Sequence, residues 1–323
     1  MNEPTATLPL LVTRRFAPAV RARLDERFAL TMHDDEAVMD RDALLRTVAG
    51  VSGAMVTPND RIDSEFFDAA GPTLRIVATL SVGVDHIDCD EAARRGIVIA
   101  HTPDVLTRTT AEMAIAIMLS LVRRVTEGDR LIREGTPWEL SPNFMLGTSL
   151  EGLQFGCVGF GRIGREASRL ATALGMRVVH CSRRATGEAG ERSFDEVIST
   201  SDVVSLHCPL TPETHHLINA PVLRAMKSSS VLINTCRGKV VDEGALVDAL
   251  RRGVIGGAGL DVFEDEPAVD PGLIACENAV LVPHLGSATH RTREAMGMRC
   301  VDALMAVLYN EGTATNIITV ASA

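Results

Sequence analysis

Short apolar runs alternate with amphipathic stretches along almost the whole chain: LPLLVT, VSGAMVT, LRIVATL, GIVIAHT, LQFGCVGF, MRVVHCS, DVVSLHCP, SVLINTC and NAVLVPH. This alternation predicts parallel sheets joined by crossover helices, an α/β fold. The runs end in small or polar residues, Thr13, Thr57, Thr79, Thr102, Ser182, Pro209, Cys236 and His284. In open α/β sheets ligands bind beyond the carboxyl ends of the strands, so a site is expected among those residues.

A chain of 323 residues with 46% hydrophobic content buries a sizeable core and is expected to divide into two domains. The pattern predicts an α/β unit to about Pro103, a long helix from near Asp104 and a second α/β unit from about Leu150 to Ala288. The tail THRTREAMGMRCVDALMAVLYNEG reads as a helix returning to the first unit. The stretch REGTPWELSPNFMLGTSLEG is rich in Pro, Gly and Ser, holds the only Trp, and reads as an arm or linker. The sequence has neither fixed-period repeats nor low-complexity tracts.

A net charge of -10 disfavours nucleic acid and anionic membrane as partners and leaves small molecules. The start, MNEPTATLPLLVTRRF, lacks the basic-then-apolar layout of a signal peptide. AEMAIAIMLSLVRR, the most apolar segment, is interrupted by Glu112 and Ser120 and falls short of the roughly 20 residues that cross a bilayer. It reads as a buried helix. The seven cysteines, Cys89, Cys157, Cys181, Cys208, Cys236, Cys276 and Cys300, occur singly, with no CxxC pair or zinc-ligand spacing. They read as small, mostly buried apolar residues in a reducing cytoplasm, and no metal is expected.

GCVGFGRIGREASRLATALG places Gly159, Gly161 and Gly164 in G-x-G-x-x-G spacing between an apolar strand and an amphipathic helix. In that context the first glycine makes the tight turn, the second admits a pyrophosphate close to the backbone, and the third allows helix-strand packing. The helix N-terminus adds stabilisation of negative charge. In the NAD form of this fingerprint an acid about twenty residues on binds the ribose hydroxyls, whereas an arginine accommodates the 2′-phosphate of NADP. Here MRVVHCSRR ends with no acid and with Ser182, Arg183 and Arg184. The plain reading is solvated arginines at a strand end; the missing acid favours NADP, with Ser182 and Arg183 on the phosphate and Arg184 adding charge or stacking on adenine.

Further on, INTCRG, GLDVFEDEP and LVPHLGSATH place Arg237, Glu266 and His284 at or beyond three predicted strand ends. Such a set suffices for reduction of a 2-keto acid. Arginine binds the carboxylate and polarises the carbonyl, histidine donates the proton, and the carboxylate orients the imidazolium. Each also has a plainer reading: Arg237 as a helix cap, Glu266 as one more surface acid and His284 as a satisfied core histidine. His33, His215 and His216 lie in polar or acidic segments and read as structural or solvated.

The ordered motifs SVGVDHID, TPDVLTRTTAEMA, GFGRIG, CPLTPETHHLIN, INTCRGKVVDEGAL, GAGLDVFEDEP and PHLGSATHRTRE resemble those of the D-isomer-specific 2-hydroxyacid dehydrogenases over nearly the whole chain. Within that family, SVGVDHID, TPDVLTRTTAE, CSRR and GSATHRTR are most similar to the glyoxylate/hydroxypyruvate reductases. The resemblance implies two Rossmann-like domains with an interdomain active-site cleft. A flavodoxin-like substrate domain would span 1–103 and 289–323, and a doubly wound NAD(P)-binding domain 104–288. It implies a cytoplasmic homodimer with 128–150 as an arm reaching across and Trp138 approaching the neighbour's substrate pocket or its interface core.

The resemblance further implies Arg237 as the carboxylate-binding and carbonyl-polarising residue, His284 as proton donor and Glu266 as its partner. Val82 and Gly83 would hold the substrate carboxylate through backbone N–H groups. NADP(H), with NAD(H) as the second choice, would lie along Thr110, Gly159, Phe160, Gly161, Arg162, Ile163, Gly164, Ser182, Arg183, Arg184, Cys208, Pro209, Thr214, Thr235, Cys236, Asp261, His284 and Gly286. Asp261 is expected near the carboxamide.

Cys236 departs from the small or polar residue common in the family before the arginine, which bears on cofactor affinity more than on chemistry. The chain ends soon after its last helix, which argues against a phosphoglycerate dehydrogenase with a regulatory extension. Glu266 argues against formate dehydrogenases, which pair the histidine with glutamine. The expected activity is NADPH-preferring reduction of glyoxylate to glycolate and hydroxypyruvate to D-glycerate. The alternatives are a 2-ketogluconate or other D-2-hydroxyacid dehydrogenase, a phosphite dehydrogenase, and a non-catalytic dinucleotide-sensing protein.

Overall fold

The computed structural model describes residues 7–318; the first six residues of the N-terminal segment read above for a signal peptide lie outside them. Two compact units are present. The first runs to Leu106 and resumes at Thr289. It carries β1 (Leu8–Val12), β2 (Phe28–Met32), β3 (Gly53–Val56), β4 (Ile76–Thr79) and β5 (Val98–Ala100). These form one parallel sheet in the order β2-β1-β3-β4-β5, the flavodoxin-like arrangement. β3 and β4 are buried at every residue, as expected of central strands covered on both faces. The tail forms the helix His290–Tyr309, and Tyr309 ties it to the sheet by accepting from Leu8 N–H at 3.1 Å and stacking at a tilt on Phe28.

The second unit, Thr107–Ala288, opens with the helix Thr107–Val122, three residues later than expected from Asp104. It carries β6 (Gln154–Val158), β7 (Arg177–Cys181), β8 (Val203–Leu206), β9 (Val231–Asn234), β10 (Gly257–Leu260) and β11 (Ala279–Leu281). The sheet is parallel, ordered β11-β10-β9-β8-β6-β7. The direction of winding reverses at β6, which has β7 on one side and β8 on the other. A crevice at the carboxyl end of β6 is the topological switch point at which doubly wound sheets bind ligands.

Two strands lie outside the nine apolar runs, for different reasons. β2 is an edge strand in which only Phe28 is buried and the following residues are partly or fully exposed, so FALTM, broken by Thr31, is a shorter and less buried run than the central strands. β10, with the sequence GAGL, has little side chain at all. A β-carbon on Gly259 would stand 2.2 Å from Ile117 Cγ2, so the bare backbone admits the helix Thr107–Val122 directly against the sheet. Among the described residues no helix is long and apolar enough to cross a membrane.

Candidate active site

The turn after β6 meets the steric demands of each glycine in GFGRIG. Gly159 has φ +96°, and a β-carbon there would lie 2.6 Å from Cys208 N, so the turn sits directly on the segment that follows β8. Gly164 would collide with the Gly159 carbonyl oxygen at 2.2 Å, which is the close packing that the third glycine allows. Gly161 has nothing within 4 Å of its virtual β-carbon. It is the N-cap of the helix Arg162–Ala173 and supplies no side-chain cap, leaving backbone N–H groups at a positive helix end facing open space. An uncapped helix N-terminus beside an open cradle fits a dinucleotide pyrophosphate. Ile163 follows Arg162 in the first turn, and Phe160 stacks on the buried His180 with ring centroids 3.6 Å apart.

The end of β7 is tied to this turn by the Gly159 N–H, which donates to the Cys181 carbonyl at 2.9 Å. Ser182 Oγ donates to the Arg184 carbonyl at 2.6 Å, closing a local turn. Arg183 and Arg184 are both exposed, and neither guanidinium forms a salt bridge among the described residues. Beyond β8, Thr214 Oγ1 donates to the Pro209 carbonyl at 2.7 Å and accepts from Thr211 N–H at 2.8 Å, closing the CPLTPET loop on itself.

Arg237, Glu266 and His284 leave three neighbouring strands, β9, β10 and β11. His284 Nδ1 lies 2.8 Å from Glu266 Oε2, and Glu266 Oε1 accepts the Phe263 N–H at 2.9 Å. A ring nitrogen facing a carboxylate carries the proton, which leaves Nε2 as the outward, exchangeable position. Burial pushes the Glu266 carboxyl up, but the His284 hydrogen bond and charge, the Phe263 N–H and the Arg237 charge outweigh it and hold the group below the ordinary carboxylate range. Gly238 brings the Arg237 loop onto the Glu266 loop: a β-carbon there would stand 1.9 Å from the Phe263 carbonyl carbon.

His284 adopts the left-handed backbone, φ 53°, a conformation uncommon for a non-glycine residue. Asp261 holds it there. The Asp261 carbonyl accepts the His284 N–H at 2.9 Å, and its buried carboxylate accepts Leu285 N–H at 2.5 Å and Gly286 N–H at 2.8 Å. Burial raises the Asp261 carboxyl above its ordinary value, against the opposing pull of those N–H groups and His284. A β-carbon on Gly286 would meet Thr110 Cγ2 at 3.4 Å, so Thr110 joins the same cluster. Asp261 is thus a brace for the His284 turn as well as a candidate cofactor contact.

Asn234, at the end of β9, went unnoticed in the sequence. Its Nδ2 donates to the Arg237 carbonyl at 2.9 Å, and its Oδ1 accepts the Cys236 N–H at 3.0 Å. The adjacent Thr235 hydroxyl is buried and meets no hydrogen-bond partner among the described residues. A polar residue closing an otherwise apolar strand, VLIN, is the signal that marks Asn234.

Val82 and Gly83 follow β4 in the first unit. Ser81 Oγ donates to the Gly83 carbonyl at 2.7 Å, and His101 Nδ1 lies 2.9 Å from the Val82 carbonyl. Both bonds use carbonyls and leave the two N–H groups available to an anion.

A family model, described as D-isomer specific 2-hydroxyacid dehydrogenase, NAD binding domain, matches residues 115–286. A glyoxylate reductase of Thermococcus onnurineus is 43% identical over 299 residues, 89% of each chain. A crystal structure of a Thermus thermophilus protein superposes with a TM-score of 0.91 at 43% identity, covering 97% of this chain and 100% of that one. An NADPH-dependent glyoxylate/hydroxypyruvate reductase of Sinorhizobium meliloti, solved with NADP and malonate, gives 0.84 at 35% identity, with 97% of each chain covered.

Proposed function

Because the chain belongs to the D-isomer-specific 2-hydroxyacid dehydrogenases, we propose that it reduces glyoxylate to glycolate and hydroxypyruvate to D-glycerate, with NADPH preferred over NADH. The bound nicotinamide supplies the hydride. Arg237 binds the substrate carboxylate and polarises the carbonyl, since a guanidinium offers paired donors to planar oxygens. Val82 and Gly83 contribute N–H groups to the same carboxylate. His284 delivers the proton from Nε2 as the carbonyl oxygen gains charge, and Glu266 keeps the ring oriented through Nδ1. Asp261 and Thr110 line the nicotinamide position.

The observation that carries this reading is the 2.8 Å contact between His284 and an ionised Glu266, beside Arg237 and downstream of a glycine turn built for a dinucleotide. Support for NADPH comes from the absence of an acid after β7 and from two exposed arginines in its place. We also read 128–150 as an arm that pairs two copies, because Trp138, Leu140 and Leu146 are 52%, 92% and 64% exposed in one short stretch. The test is loss of nicotinamide absorbance with purified protein and glyoxylate, with NADPH and NADH at matched concentrations. Faster NADPH oxidation is expected. Faster NADH oxidation would overturn the cofactor preference, and turnover confined to bulkier keto acids or phosphite would overturn the substrate.

A further inference from the structure

We propose that His101 is a positioning residue for the substrate carboxylate: its ring holds the Val82 carbonyl, and through that peptide it aims and strengthens the Gly83 N–H as an anion donor. This role rests on the reading under Proposed function that Val82 and Gly83 bind the carboxylate.

A peptide is planar, so a hydrogen bond to its carbonyl fixes the direction of the N–H on its other side. The same bond polarises that N–H toward a second acceptor. The Val82 N–H shares a peptide with the Ser81 carbonyl, and the Gly83 N–H shares one with the Val82 carbonyl. Two consecutive residues beyond β5 take up both carbonyls. Thr102 donates to the Ser81 carbonyl twice, from its N–H at 2.8 Å and from Oγ1 at 3.0 Å. His101 Nδ1 lies 2.9 Å from the Val82 carbonyl. A carbonyl has no proton to give, so Nδ1 is the donor whether the ring is neutral or charged. The Gly83 carbonyl accepts from Ser81 Oγ at 2.7 Å, so three successive carbonyls are held by the protein.

His101 is itself anchored by the far end of the chain. Its N–H donates to the Asn316 carbonyl at 3.0 Å, and its carbonyl accepts Asn316 Nδ2 at 2.6 Å. Asn316 is buried, and Ile318 N–H continues the pairing on the Ile99 carbonyl at 2.8 Å. The backbone of residue 101 is therefore clamped by bonds that do not involve its side chain, while the ring is only partly buried. Substituting the ring removes one hydrogen bond from the substrate loop and little else. Thr102 differs: its side chain is fully buried, and its N–H bond to Ser81 does not depend on that side chain.

His101→Ala and His101→Asn would be compared with the parent in two measurements. Asn carries an amide nitrogen at the branch position that Nδ1 occupies in His, so it can restore the donor. In steady-state kinetics His101→Ala should raise the glyoxylate KM about three- to tenfold, with kcat and the NADPH KM nearly unchanged. His101→Asn should recover most of that loss. Amide spectra of the free protein, isotopically labelled at glycine nitrogen and valine carbonyl carbon, read Gly83 directly, since Val–Gly occurs only at 82–83 and 158–159. The Gly83 amide proton should move upfield in His101→Ala and return in His101→Asn, with Gly159 unmoved in both. An unmoved Gly83 resonance in His101→Ala, an unchanged glyoxylate KM, or equal rises in the glyoxylate and NADPH KM values would overturn the positioning role. A parent that turns over no glyoxylate, with the Gly83 shift still present in His101→Ala, would count against the proposed substrate and leave the hold of His101 on that peptide in place.

Discussion

His284 Nδ1 and Glu266 Oε2 stand 2.8 Å apart on loops that leave adjacent strands, so the imidazole and the carboxylate that orients it are held at one end of the same sheet. Replacement of His284 by Ala should lower kcat by roughly 10²–10⁴ while dinucleotide binding, followed by fluorescence, stays nearly intact. Glu266→Gln should give a smaller loss and shift the acidic side of the kcat–pH profile. Turnover of His284→Ala close to the parent would remove it as proton donor.

The depressed Glu266 carboxyl makes a stability prediction of definite sign. Its folded value lies below the ordinary 4.5, so its contribution to folding is fully present above the unfolded value and is lost as pH falls through the folded one. Parent and Glu266→Gln should therefore differ in Tm by an amount that shrinks as pH falls below about 5. Thermal melts in acidic buffers test it; a difference that keeps growing below about pH 4 would contradict the depressed carboxyl.

The glycines of the turn should separate stability from binding. A methyl at Gly164 has no room, with the Gly159 carbonyl oxygen 2.2 Å away, and Gly164→Ala should cost about 3 kcal/mol in denaturant unfolding. Gly161→Ala enters open space and should cost about 1 kcal/mol or less. That methyl nevertheless fills the cradle, so NADPH affinity should fall sharply in a protein that remains folded. Equal stability losses at the two positions would contradict the geometry.

Replacing Arg183 and Arg184 together by Ala should weaken NADPH by roughly ten- to a hundredfold, the worth of a charge-assisted hydrogen bond or two, and NADH hardly at all. Steady-state KM values for the two cofactors measure this. Parallel losses would return both arginines to the solvated surface.

Much of this was legible in the sequence because parallel strands buried on both faces are written as unbroken apolar runs, and their carboxyl ends mark themselves by small and polar residues. Where that rule fails, the strand hides: β2 lies at an edge and is buried only at Phe28, and β10 gives up side chains so that Ile117 can sit on Gly259. The catalytic candidates were readable as residue types at strand ends. Their supports were not, because a brace such as Asp261 or Asn234 is defined by which backbone groups its side chain meets. The hydrogen bond by which the Ser182 hydroxyl closes on the Arg184 carbonyl is likewise visible only in the fold.

The loops bearing Arg237, Glu266 and His284 are interlocked by Gly238 against Phe263, by the Phe263 N–H on Glu266, and by Asp261 beneath residues 284–286. Variation in any one loop therefore disturbs the other two, which makes this part of the protein resistant to gradual evolutionary change. The Val82 side chain stands exposed, with its loop held through the Val82 and Gly83 carbonyls and not through that side chain. Val82 is thus free to vary without disturbing its loop, whereas a change in any one of the interlocked loops is felt in the other two.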